Sequence, residues 1–303
     1  MKNILFQLSA LAFTFLLLTL SCGSSLRGDT RNSDEKREVS AEWKAFWNQG
    51  LAEVSEYELD QARYGENHPG NAILVFVTEP FNTELQVKSD DVLSEANSIT
   101  EVLKLNAIRH FKTGVYDYSV MESVFTPVNA GKVGQSLKAS CSVQDWCGQV
   151  FSQYNLKNGA YRARQFSYFE KEADSDIIIK ASVLEDEIWT LLRIDPSLLP
   201  VGNIKLIPSM HFLRFSHIAP NPYDAVGSIT HNDSLSTYHL KYDEPSRELK
   251  IHFKSQFPYT IESWEEIYLS GFGNQARMLT TKAKLKKRTM MDYWNLNGVN
   301  DTW

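Results

Sequence analysis

The chain has little cysteine. Its 303 residues contain three, Cys22, Cys141 and Cys147, too few for a disulfide-dense scaffold. Beyond residue 20 no apolar run approaches the ~20 residues of a membrane helix, so the body reads as lying outside the bilayer. Positive charge is not in excess: 31 Lys and Arg stand against 37 Asp and Glu, a formal net charge of −6. That balance argues against nucleic acid as a partner, because its binding rests on neutralising phosphates. No G-x-S-x-G elbow, G-x-x-x-x-G-K-[ST] loop or H-E-x-x-H pair occurs, which removes three common catalytic signatures. Gly271-Phe272-Gly273 lacks the strand–turn–helix setting of a dinucleotide site and reads as a turn between strands. No cofactor is implied, and no repeat of fixed period is present.

What is present begins at the N-terminus. Lys2 precedes an apolar run from Ile4 to Leu20, which ends in Thr19-Leu20-Ser21-Cys22-Gly23. A positive start, an apolar core and a small residue before the cut form a secretory signal. A cysteine directly after Ser21 makes it resemble a bacterial lipoprotein signal, although Thr19 stands where leucine is usual. Residues 1–21 are then removed, and Cys22 is acylated and becomes the mature N-terminus. Each buried acyl methylene contributes about 0.8 kcal/mol, so several chains on one cysteine hold a soluble body at a membrane. A cut near Ser21 with an incidental thiol, or a retained span, are the alternatives, and the run is short for a span. Removal takes Lys2 and no acid, leaving −7. Residues 22–40 are nearly free of large apolar side chains and read as a flexible tether. No acidic cluster follows Cys22, which favours an outer-membrane protein facing the periplasm.

Residues 41–303 read as a single β-rich domain, with a break near 195–208 as the second choice. The 7 Trp, 13 Tyr and 16 Phe are spread among Val, Ile and Thr, a strand-forming composition. Ala41 to Gln49 is expected to be a short helix with Trp43, Phe46 and Trp47 on one face. A hairpin is expected around the turn Gly65 to Gly70, with a strand at Ala72 to Thr78. Further strands are read at Leu85 to Lys88, Glu101 to Phe111, Tyr118 to Thr126, Ser136 to Val143, Gln149 to Asn155, Tyr161 to Glu170 and Ile177 to Leu184. Others follow at Met210 to Phe215, Ala225 to Thr230, Ser236 to Tyr242, Leu249 to Phe253, Tyr259 to Tyr268 and Ala276 to Leu285. Glu185 to Ile194 reads as a short helix or another strand, and Met290 to Asn297 as a terminal helical turn. Such a series predicts a mainly β fold, one large antiparallel sheet curved into a barrel or folded into a sandwich.

Candidate chemistry is sparse. Cys141 and Cys147 share parity, but six strand steps part them by ~20 Å. A disulfide there needs a turn at Val143 to Trp146; the alternative is two small buried thiols. Among seven histidines, His211 and His217 would share a face if one strand runs through them. His239 would approach His252 across a hairpin after His231. No metal site is predicted from this spacing. Glu265 and Glu266 are neighbours, so a strand sends them to opposite faces. A glycosidase pair would have to join Glu265 to Asp145. The basic stretch Lys282 to Arg288 suits either an anionic membrane or the protection of an edge strand, the latter preferred.

At WKAFWNQGLAEVSEYELDQARYGE, SVQDWCGQVF, LLRIDPSLLPVG, SWEEIYLSGFGNQARMLTTKA and YWNLNGVNDTW the chain resembles a family of uncharacterised Bacteroidetes-type lipoproteins. The resemblance spans nearly the whole mature chain. Some members carry the label "septum formation inhibitor Maf". The S-x-S-x-R-R-like loop of Maf nucleotide pyrophosphatases has only an echo in Leu18 to Arg27, with one arginine in place of a pair. The resemblance therefore implies no catalytic residue. The expectation is a non-enzymatic envelope lipoprotein that binds an apolar ligand, a lipid or a partner protein. A glycan-acting hydrolase is the alternative.

Overall fold

Side chains along these strands alternate between apolar and polar, and the alternation assigns each strand an inner and an outer face. The computed structural model describes residues 38–90, 98–129 and 135–303; the signal segment, Cys22 and nearly all of the tether lie outside them. Ser40 caps helix α1 (Ala41–Trp47) by accepting the Trp43 N–H, and Trp43 and Trp47 are buried. The first half of the sheet is β1 (Ala52–Arg63), β2 (Glu66–Asn82), β3 (Val87–Lys88), β4 (Ile99–Thr113), β5 (Tyr116–Pro127), β6 (Lys138–Asp145), β7 (Gly148–Lys157), β8 (Ala160–Ser167) and β9 (Ser175–Lys180). An inner segment follows: β10 (Val183–Leu184), a 3-10 turn (Glu185–Glu187), α2 (Ile188–Ile194), β11 (Gly202–Ile207) and α3 (Met210–Ser216). The chain closes with β12 (Tyr223–Thr230), β13 (Leu235–Tyr242), β14 (Arg247–Lys254), β15 (Ile261–Ser270) and β16 (Arg277–Met291).

All sixteen strands belong to one sheet, ordered β10-β11-β12-β13-β14-β15-β16-β1-β2-β4-β5-β6-β7-β8-β9, with β3 beside β2. Every pairing is antiparallel except β10 with β11. The edge strands β9 and β10 are chain neighbours, joined by residues 181–182. Three Cα steps span at most about 11 Å, so the end of β9 and the start of β10 lie close together. No strand pairing among the described residues seals β9 to β10. The segment 195–208 contributes β11 to this same sheet.

α2 and α3 lie on the inner face, where two apolar clusters form. One gathers Trp43, Trp47, Tyr57, Phe76, Leu192 and Trp264; the other gathers Phe111, Tyr118, Tyr161, Met210 and Phe215. No helix among the described residues is long and apolar enough to cross a membrane.

Three local expectations are corrected. The first hairpin turns at Tyr64 and Gly65, both at positive φ, and β2 runs on through Pro69. Residues 66–69 pair with β1 alone, and a proline is tolerated on such an edge. Gly70 is required nearby, since a Cβ there would meet the His110 carbonyl oxygen at 2.2 Å. Met210 to Phe215 is a helix, not a strand. All six residues are buried, so the stretch has no solvent-exposed face, and periodicity cannot tell a buried helix from a buried strand. β16, which carries Lys282 to Arg288, lies between β15 and β1; it is not an edge.

Candidate functional site

A charged centre sits on the inner face. It joins Arg109 (β4), Glu122 (β5), Glu185 and Asp186 (the 3-10 turn), His211 (α3), Arg247 (β14) and Glu266 (β15), every one buried. Glu266 is its hub. Its Oε1 lies 2.7 Å from Arg109 Nη1, and its Oε2 lies 3.0 Å from Arg247 Nη2 and 3.1 Å from His211 Nε2. Arg247 also grips Glu185 at 2.5 Å and 3.2 Å, and the Tyr242 hydroxyl donates to the same carboxylate at 2.7 Å. On its other side His211 Nδ1 is 3.0 Å from Glu122 Oε2 and 2.5 Å from Ser209 Oγ. Asp186 accepts the Met210 N–H at 3.2 Å. Gln61 links Arg109 to Tyr268 on β15 and Thr281 on β16.

Burial raises the pKa of a carboxyl, and charged neighbours decide which groups escape. Burial opposes ionisation of Glu122, but His211 and Arg109 hold it down to about 2. Burial opposes it at Glu266 too, and Arg109, His211 and Arg247 keep it well below the usual range. Burial and Arg109 push His211 down, while Glu122 and Glu266 lift it up to about 9. Asp186 goes the other way: burial, then Glu122 and Glu185, push it well above an ordinary aspartate. Four carboxylates thus face two guanidiniums. A proton on His211 and another on Asp186 leave the centre neutral. Such a network ties β4, β5, β14 and β15 to the inner segment.

A second buried pair stands apart. Arg193 (α2) holds Glu53 (β1) at 2.5 Å and 2.7 Å, and its guanidinium lies about 5 Å from the Trp47 and Phe76 rings.

Two openings lie on the outer face. A cleft of 660 Å³ crosses β15, β16, β1 and β2, lined by Glu58, Asp60, Glu262, Glu265, Lys282 and Lys284 among others. Lys282 sits between Glu265 and Asp60, and Lys284 between Ser263 and Glu58; Lys286 reaches Glu56 at 2.8 Å. The basic stretch is therefore threaded through acids, which weakens its pull on an anionic surface. The second opening is an apolar groove of 270 Å³. Val54, Ile73, Val75 and Ile108 form its floor, and Tyr293, Leu296 and Trp303 of the C-terminal tail form its wall.

The residues read from sequence fall as follows. Glu265 and Glu266 do face opposite ways, Glu266 into the charged centre and Glu265 into the outer cleft. Asp145 does not line that cleft; it closes the β6–β7 turn by accepting the Cys147 N–H at 2.6 Å. Cys141 is buried on β6, Cys147 is exposed in the turn, and both thiols are free. Only the first of them is a buried strand thiol. His211 and His217 are split by α3: His211 enters the charged centre, and His217 ends the helix at positive φ, bonded to Glu172 at 2.5 Å. His239 pairs with Glu248, and His252 with Thr237, rather than with each other. Cys22 lies outside the described residues.

Sequence reasoning missed Arg109, Glu122, Glu185, Asp186 and Arg247. A signal was there. Leu103-Leu105-Ala107-Arg109-Phe111, Tyr118-Val120-Glu122-Val124 and Arg247-Leu249-Ile251-Phe253 each place one charge at core parity. A charge in register with a buried row must have a buried partner.

Comparison with family models, with curated proteins and with solved structures finds no match to this chain.

Proposed function

We propose that this chain is a lipoprotein of the cell envelope, anchored in a membrane through acylated Cys22, whose β body binds without catalysis. The bound group is the acyl chain of a lipid, seated in the groove between the sheet and the C-terminal tail. The groove's lining carries this reading. Its floor is four aliphatic side chains on the outer face of β1, β2 and β4, and its polar lining residues, Asp301 and Thr302, both belong to the tail. Tyr293, Leu296 and Trp303 at the wall stay partly exposed, at 37%, 44% and 42%. Outward aliphatic residues under a half-open aromatic wall suit a narrow apolar chain with a wet end, and Trp and Tyr favour the membrane–water interface. The resemblance to Bacteroidetes-type lipoproteins and the signal ending at Cys22 agree with this placement.

Titration of the purified chain with a fluorescent fatty acid tests the reading. Saturable binding with one site is expected, and Ile73→Asp, which puts a charge on the groove floor, should weaken it at least ten-fold. Non-saturable binding, or equal affinity in the variant, overturns it. Glu265→Gln in the outer cleft should leave binding unchanged; polysaccharide turnover that this variant abolishes would favour the hydrolase instead.

A further inference from the structure

We propose that Glu122, Asp186 and His211 form a binding site for one divalent transition-metal ion. One donor atom from each lies within 4.8 Å of the others, and the three come from β5, the 3-10 turn and α3. The second observation is the far side of the imidazole. His211 Nε2 meets the carboxylate of Glu266 at 3.1 Å, and Glu266 is itself held by Arg109 and Arg247. Metal-bound histidines characteristically donate their second ring N–H to an oriented carboxylate, which fixes the tautomer and turns the other nitrogen's lone pair to the metal. The other nitrogen, Nδ1, lies 3.0 Å from Glu122 Oε2 with Ser209 Oγ beside it. Charge agrees as well. Four buried carboxylates face two buried guanidiniums, and one divalent ion offsets that excess of negative charge. Imidazole with carboxylate oxygens suits Zn2+ or Mn2+. The ligands lie far apart in the chain, which is why no short motif reveals them.

Because the site is buried, the ion enters as the chain folds. The full chain is therefore refolded from denaturant with Zn2+ or Mn2+, freed of loose metal by gel filtration, and assayed for metal by mass spectrometry. One equivalent per chain is expected. Asp186→Asn keeps the shape of the side chain and removes its charge, so this variant should fold, with unchanged circular dichroism, and lose at least nine-tenths of the metal. His211→Gln should lose it too. Wild-type chain that retains less than a tenth of an equivalent of either ion overturns the proposal, as does a folded Asp186→Asn that keeps its full equivalent.

Discussion

β15 carries acids on both faces, and the two faces use them differently. Glu266 points inward, is 1% exposed and meets Arg109, Arg247 and His211. Glu265, its neighbour in the chain, points outward beside Lys282 in an open cleft. The chemistry of the side chain is the same, and only parity separates the two. Inside, the side chains are shut off from bulk solvent and every charge depends on the geometry of its partners. Outside, water screens each charge and its loss is replaced by solvent. The charged centre is therefore a place where one substitution propagates, and the outer ladder is a place where it does not.

The largest effect should come from breaking the inner hub. Glu266→Gln removes one acid and leaves Arg109 and Arg247 buried without their shared counter-charge. Removing one partner of a buried ion pair costs about 3–5 kcal/mol. Urea unfolding should show a loss in that range, while Glu265→Gln should change stability by less than about 0.5 kcal/mol, as surface substitutions usually do. Equal losses at the two sites would break the contrast between the faces.

Acid should act next, through the inner pair Glu53–Arg193. Burial alone would raise the Glu53 pKa, but Arg193, and Arg288 at 3.6 Å, keep it below its ordinary 4.5. A depressed folded pKa means stability that is whole above about pH 4.5 and is lost as pH falls through the lower folded value. Urea midpoints measured downward from pH 6 should fall in that acid window. Glu53→Gln, less stable at pH 6, should fall less steeply there. An identical slope in the variant would remove Glu53 from the acid response.

The sheet itself was legible because its strands alternate and its turns carry Gly, Asn and Asp. The α1 helix was legible too, since Trp43, Phe46 and Trp47 fall on one face at helical spacing. Met210 to Phe215 was not, because a segment buried on every side shows no period. The Gly65 to Gly70 turn was placed late because Pro69 reads as a break, whereas only one neighbouring strand pairs there. The charged centre was hidden for a different reason. Its residues are spread from Arg109 to Glu266, and each alone resembles a solvent-facing charge. Only their shared parity with Leu105, Val120, Leu249 and Trp264 marks them as inward, and that pattern is visible only once the strand is assumed.

The smallest effect belongs to the outermost pair. Lys205 Nζ lies 2.7 Å from Asp224 Oδ2, shorter than most of the contacts in the buried centre, yet the two side chains are 62% and 79% exposed. If distance set the strength of an ion pair, this one would rank among the strongest in the molecule. Exposure sets it instead. High dielectric weakens the attraction, and holding two long side chains in one geometry costs rotamer entropy, so such pairs contribute about 0–1 kcal/mol. Lys205→Ala should therefore shift stability by less than about 0.5 kcal/mol, and the shift should vanish in molar salt, where the screening length falls to about 3 Å. A salt-insensitive loss above about 1 kcal/mol would mean that the rim of β11 and β12 is drier than its exposure indicates, and the division between inner and outer charge would have to be redrawn there.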